Sequence, residues 1–160
     1  MQVYMLFDTI KKKLHEHVAV LSFFEKIPEF ILANKIPEDM ILFTAEFFYH
    51  PERMCEIVLL IAENATHLGR KETYENCIFS NYTESSGETI VLNNVKTLPS
   101  FLELDPRINA EIFCQCKISA GLSLILNMEC SSAQVSEQAS SWFARVKEKI
   151  LLSSAPDSIV

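Results

Sequence analysis

Apolar positions recur along this chain with two different periods. Between Val3 and Lys26, Ile10, Leu14, Val18, Leu21 and Phe24 fall at steps of three and four, the spacing of one helix face. This predicts a first helix that Pro28 stops or kinks, because proline lacks the amide a helix interior needs. PEFILANKIP then reads as a short helical piece ended by Pro37. The period changes to two from Met40 to Tyr49 and from Met54 to Ala62, on either side of His50-Pro51-Glu52-Arg53. An antiparallel hairpin follows, with Ile41, Phe43, Ala45, Phe47 and Tyr49 on one face. Its other face is apolar too, so the sheet is expected to be covered on both sides. A buried helix is the competing reading for either half.

Tyr74, Cys77, Ile78 and Tyr82 return to helical spacing, which predicts a helix ending before Gly87. TIVLNNV reads as a strand. After it comes a long connection, Asn93 to Phe113 at its widest, carrying Pro99 and Pro106. Ile112, Cys114, Cys116 and Ile118, then Leu122, Leu124, Leu126 and Met128, alternate about Gly121 as a hairpin with one dry face. Ser131, Ser132 or Ser136 caps a last helix whose stripe is Val135, Ala139, Trp142, Phe143, Val146 and Ile150.

Strands grouped between terminal helices predict an α+β fold: a central antiparallel sheet of five to six strands flanked by N- and C-terminal helices. The expected organisation is one domain over 1–152, with a helical segment at 1–38 and sheet, loop and C-terminal helix at 39–152. Residues 153–160 read as a flexible tail.

Composition narrows the function classes. The 160 residues are 49% hydrophobic with a net charge of -7, and the 14 basic residues are scattered apart from Lys11-Lys12-Lys13. A nucleic-acid binder needs a basic face, so direct nucleic-acid contact is not expected, and the lysine triplet reads as the wet side of a helix. No apolar run reaches the ~18 residues of a membrane span. The first lysines follow the apolar residues, the reverse of a secretory signal, which predicts a cytoplasmic protein. Cys55, Cys77, Cys114, Cys116 and Cys130 are odd in number and do not suggest a disulfide framework. Cys114-x-Cys116 reads as two small core residues of one strand. His15-Glu16-His17 is no metal site on a helix, because neighbours at i and i+2 diverge.

One stretch carries a family resemblance. Asn93-Asn94-Val95, Pro99, Phe101, Asp105-Pro106-Arg107, Ala110-Glu111-Ile112, Gly121, Leu126-Asn127-Met128-Glu129-Cys130 and Val135-Ser136-Glu137 keep the order and spacing that resemble GAF domains. The chain departs from the usual pattern at Asn94, Ala110, Gln115 and Leu124. The resemblance implies a GAF/PAS-like sheet and a small-molecule-sensing or regulatory domain in signal transduction or transcriptional control. Output would run through the terminal helices and homodimerisation, or to a partner signalling protein. One branch of the family reduces free methionine sulfoxide with cysteines; the loop cysteine of that branch is Leu104 here, so an enzyme is not expected.

Candidate ligand-binding residues follow from chemistry and position. A connection of about 16 residues inside a compact domain is ordinarily functional, and it is expected to wall a pocket beside the sheet. Arg107 is able to hold a carboxylate or phosphate, although pairing with Asp105 or Glu111 to pin the loop is the favoured reading. Asn93 and Asn94 either offer donors to a ligand or satisfy the loop's start. Phe43, Tyr82, Phe101 and Phe113 are candidate walls or plain core. Glu46 lies on an apolar strand and, if buried, needs a partner or a proton. The sequence names no ligand, cofactor or metal. An interaction scaffold with a collapsed pocket remains the alternative to a sensor.

Overall fold

The two long apolar hairpins make the centre of the sheet, since only there do both faces of a strand lose water. The computed structural model describes residues 1–82, 87–98 and 105–154, the last four by backbone. In chain order the elements are β1 (Gln2–Met5), α1 (Phe7–Leu14), α2 (Val18–Ala33), β2 (Met40–Tyr49), β3 (Met54–Ala62), β4 (Lys71–Thr73), β5 (Ile90–Leu92), β6 (Ala110–Ser119), β7 (Leu122–Cys130) and α3 (Glu137–Ser154). The strands form one antiparallel sheet in the order β1-β3-β2-β7-β6-β5, with β4 paired to β3 below β1. The predicted α+β architecture is present, enlarged by the short strands β1 and β4.

Four sequence expectations change in the fold. The proposed helix from Val3 to Lys26 is a strand and two helices: Val3 and Tyr4 pair with Ile61 and Leu60, and the chain turns at His15-Glu16 before α2 begins. Val18, expected in the apolar stripe, is 69% exposed at the start of α2. Pro28 neither stops nor divides α2. Phe23, Phe24 and Ile27 before it and Phe30 after it are all buried, and that burial offsets the hydrogen bond proline cannot make. The helix ends instead at Asn34, whose amide donates to the Phe30 carbonyl at 2.8 Å. The helix predicted around Tyr74–Tyr82 is β4 followed by two 3-10 turns, Tyr74–Asn76 and Ile78–Asn81.

Alternation sorts the central strands into two faces. Phe43, Ala45 and Phe47 of β2, Leu124, Leu126 and Met128 of β7, and Ile112, Cys114 and Cys116 of β6 enter one core under α1, α2 and α3. Trp142 sits at its centre, edge-on to Phe30 and Phe43 at 5.6 and 5.3 Å, with its indole N–H donating to the Asn34 carbonyl at 3.1 Å. A bulge sharpens the sorting. Ala45 pairs with Leu59 but Glu46 pairs with Ile57, so Val58 is the extra residue, and both Val58 and Leu59 belong to the helix-side core. Ser136 caps α3, its Oγ accepting from the Ala139 amide at 3.0 Å and donating to Asp39 Oδ1 at 3.0 Å.

Candidate functional site

The opposite face of the same strands carries a polar yet buried patch between apolar clusters around Phe48 and Leu60. Thr44 and Glu46 of β2, Asn127 and Glu129 of β7 and Glu111 of β6 are each at most 7% exposed. Register brings them together: Thr44 stands opposite Asn127, and Glu129 opposite Glu111. The hairpin expected to have one dry face therefore has two, for all nine residues of β7 are buried.

These five line a cavity of about 110 Å³ with Leu42, Ile57, His67, Arg70, Glu72, Asn76, Cys77, Ile78 and Phe79. The outer wall is the segment from His67 to Phe79. Two backbone bonds to β3 hold its start, from the Gly69 amide to the Ile57 carbonyl at 2.9 Å and from the Ile57 amide to the Arg70 carbonyl at 3.0 Å. The Tyr74 amide donates to the Arg53 carbonyl at 2.8 Å, folding the following turn back over β3. Arg70 reaches Glu72 at 3.3 Å, both side chains 35% exposed.

The electrostatics of this cavity are unusual. Burial raises the Glu46 carboxyl from its ordinary 4.5 to about 7, with Glu129 adding to the effect and the Thr44 hydroxyl and Arg70 opposing it. Burial also raises Glu111 to about 9, reinforced by the Glu129 charge and by a hydrogen bond to Glu129. Glu129 is itself raised by burial, against hydrogen bonds from Glu111 and Asn127. At neutral pH the cluster therefore holds protons that free carboxylates would have lost. Asn127 Nδ2 donates to Glu129 Oε1 at 3.2 Å, while Asn127 Oδ1 and Glu129 Oε2 are buried without a partner. Such an orphan costs about 1–3 kcal/mol.

The fold distributes the sequence candidates unevenly. Glu46 and Glu111 line the cavity. Phe43 does not: it lies on the helix-covered face against Trp142 and Phe143, because residues 43 and 44 point to opposite sides of a strand. Phe113 and Tyr82 pack edge-on at 5.7 Å in a neighbouring core with Phe79. Asn93 Oδ1 accepts from the Val135 amide at 3.0 Å, and Asn94, at φ 51°, starts a 3-10 turn over Val95–Thr97. Asp105 and Arg107 pair at 2.8 Å, and Arg107 also reaches Glu63 at 3.3 Å. That pairing holds Asp105 down at about 2 and matches a loop pin. Phe101, Pro99 and Leu104 lie outside the described residues.

The described ends of the long connection, 93–98 and 105–109, supply none of the lining residues. They are anchored nonetheless: the Val95 amide donates to the Asn109 carbonyl at 3.0 Å, the Asn109 amide to the Cys130 carbonyl at 2.8 Å, and Val95 and Ile108 are fully buried. Thr44, Asn127, Glu129, His67, Arg70, Glu72 and Asn76 are the polar lining residues that the sequence did not mark as ligand-binding candidates. Three of them carry the signal that marked Glu46, a polar residue on an otherwise apolar strand. No group of residues among those described is arranged to hold a metal ion, and no described helix is long and apolar enough to cross a membrane.

The sequence matches no protein-family model and no curated protein. Solved structures do match. A type II free methionine-R-sulfoxide reductase from Thermoplasma acidophilum superposes with a TM-score of 0.61 at 10% identity, over 84% of this chain and 93% of that one. The GAF domain of an Acinetobacter phosphoenolpyruvate-protein phosphotransferase gives 0.60 at 13% identity, over 96% and 94%. A free methionine-R-sulfoxide reductase from Neisseria meningitidis, in complex with its substrate, gives 0.58 at 10% identity, over 93% and 86%. The chain has the GAF-like fold.

Proposed function

We propose that this chain is a ligand-binding regulatory domain whose cavity takes a compact molecule with a cationic, hydrogen-donating head. The observation that carries the reading is the pair of buried oxygens without a partner, Asn127 Oδ1 and Glu129 Oε2, on two residues of a cavity lining that includes three buried glutamates. An ammonium group supplies up to three donors and a charge that favours the ionised carboxylates. Arg70 at the rim is placed to meet an anionic end of the same ligand. The cavity of about 110 Å³ is well under the ~300–1,000 Å³ of drug-sized pockets, which favours a small occupant.

Strand alternation gives such a ligand a route to the helices. Thr44 lines the cavity, and its neighbour Phe43 packs on Trp142 and Phe143 of α3. A shift of β2 on binding therefore reaches the helix layer, where pairing of two copies or contact with a signalling partner would read it. Regulation of signalling or of transcription is the class of output this reading carries. A thermal-stability screen with primary amines, amino acids, cyclic nucleotides and inorganic phosphate tests it. Ammonium-bearing compounds are expected to stabilise the wild type and not Glu129→Gln. A blank screen on folded protein would instead support a scaffold.

A second reading, thiol-dependent reduction of a small sulfoxide, draws on one observation: Cys77 lies on the cavity wall. Two of the structural neighbours are free methionine-R-sulfoxide reductases. This reading requires turnover of free methionine sulfoxide with added thiol, lost in Cys77→Ser.

A further inference from the structure

The five cysteines differ sharply in what can reach them. Cys114, Cys116 and Cys130 are at most 3% exposed within the helix-side core. Cys77 is half-buried, stands between the two 3-10 turns and lines the cavity. Cys55 lies beneath it, 1% exposed in the core cluster against which Cys77 packs. The backbone sets up this approach. Cys55 is paired with Glu72 across β3 and β4, the Tyr74 amide donates to the Arg53 carbonyl at 2.8 Å, and the Cys77 amide donates to the Tyr74 carbonyl at 3.0 Å. The turn is thereby bent back over β3, and Cys77 packs against the apolar cluster that contains Cys55.

We propose that Cys55 and Cys77 form an oxidation-sensitive thiol pair that a small hydroperoxide entering the cavity converts to a disulfide. Cys77, the reachable thiol, attacks the peroxide: its sulfur gains one oxygen as a sulfenic acid and the peroxide leaves as an alcohol, or as water from hydrogen peroxide. The Cys55 thiol then displaces hydroxide from the Cys77 sulfur, forming the S–S bond and releasing water. Arg53, with its guanidinium 5.1 Å from the Phe48 ring and 4.9 Å from the Tyr74 ring, only partly offsets the groups that raise the Cys55 thiol. Before oxidation, burial and the hydrogen bond to Cys77 hold the Cys55 thiol protonated. That order assigns attack to Cys77 and resolution to Cys55.

The bond would staple the cavity's outer wall to β3 and end the contact of the Cys77 thiol with the Thr73 carbonyl, 3.5 Å away. The pair requires no particular cavity ligand, so its test is separate from that of the ligand reading. The full chain is treated with stoichiometric hydrogen peroxide, alkylated and digested without reductant. The expected product is a linked Cys55–Cys77 peptide, two mass units below the sum of its halves and reversed by dithiothreitol, with Cys114, Cys116 and Cys130 alkylated. Cys55→Ala is expected to leave Cys77 as a sulfenic acid that dimedone traps. A linked Cys114–Cys116 peptide in its place, or Cys77 oxidised in the wild type without joining Cys55, would overturn the proposal; neither result depends on a variant folding.

Discussion

The two faces of this sheet are built from the same strands and differ in how they treat buried polar groups. On the helix side, Phe43, Phe47, Leu124, Leu126 and Ile112 pack with Trp142 and Phe143, and the buried carboxylate on that face, Glu56 opposite Phe47, accepts a hydrogen bond from the Tyr49 hydroxyl at 2.7 Å. On the other side, Thr44, Glu46, Glu111, Asn127 and Glu129 are equally dry but polar. A sheet that merely needed covering would be apolar on both faces, because buried carboxyls cost stability unless paired or protonated. The difference teaches that this one patch, set between the apolar clusters of Phe48 and Leu60, is kept polar against a stability cost, as functional sites commonly are.

The largest contrast comes from truncating the apolar face. Phe43→Ala removes a ring that is 1% exposed between Trp142 and Phe143. It is expected to cost roughly 3–5 kcal/mol in denaturant unfolding. Glu46→Gln acts in the opposite direction. The folded carboxyl sits near 7 against an ordinary 4.5, so the folded state binds the extra proton between those values. Its stability contribution is whole below about 4.5 and is lost as pH rises through 7. At pH 8 the glutamine variant is expected to be more stable than the wild type by roughly 3 kcal/mol, the free energy of about two and a half pKa units. Below pH 4.5 that gain should vanish, and parallel unfolding curves at the two pH values check both halves. The smallest effect belongs to the loop. Arg107→Ala breaks exposed pairs to Asp105 and Glu63, with an expected cost under about 1 kcal/mol. It should leave binding by the ammonium-bearing compounds unchanged, because Arg107 does not line the cavity.

The same contrast shows where a sequence is legible. Both long hairpins stand at Met40–Tyr49 with Met54–Ala62 and about Gly121, because period-two alternation is a strong local signal. Ser136 is a cap for the same reason: its chemistry is local. The interval from His67 to Tyr82 was opaque. Its apolar spacing of three and four suits a helix, but pairing of Lys71–Thr73 with β3 and the bond from Tyr74 to Arg53 fix it as strand and turns. These are tertiary choices that no local window contains. The outer wall of the cavity lies in that interval, so Arg70 and Glu72 went unseen while Arg107, more conspicuous in the sequence, is a loop pin. Glu46 was visible as a polar residue on an apolar strand. Asn127 and Glu129 carry the same mark, and only the pairing of β2 with β7 makes the three one site.

The dry carboxyl cluster is most directly tested by carbon-detected NMR titration of the glutamate side chains in the free chain. Glu46 is expected to titrate near 7 and Glu111 near 9, with both midpoints moving down on saturation with an ammonium-bearing ligand. Midpoints for Glu46, Glu111 and Glu129 at the ordinary 4.5, unmoved by any such compound, would mean a wet, unremarkable surface and would contradict the assignment of this face as the binding site.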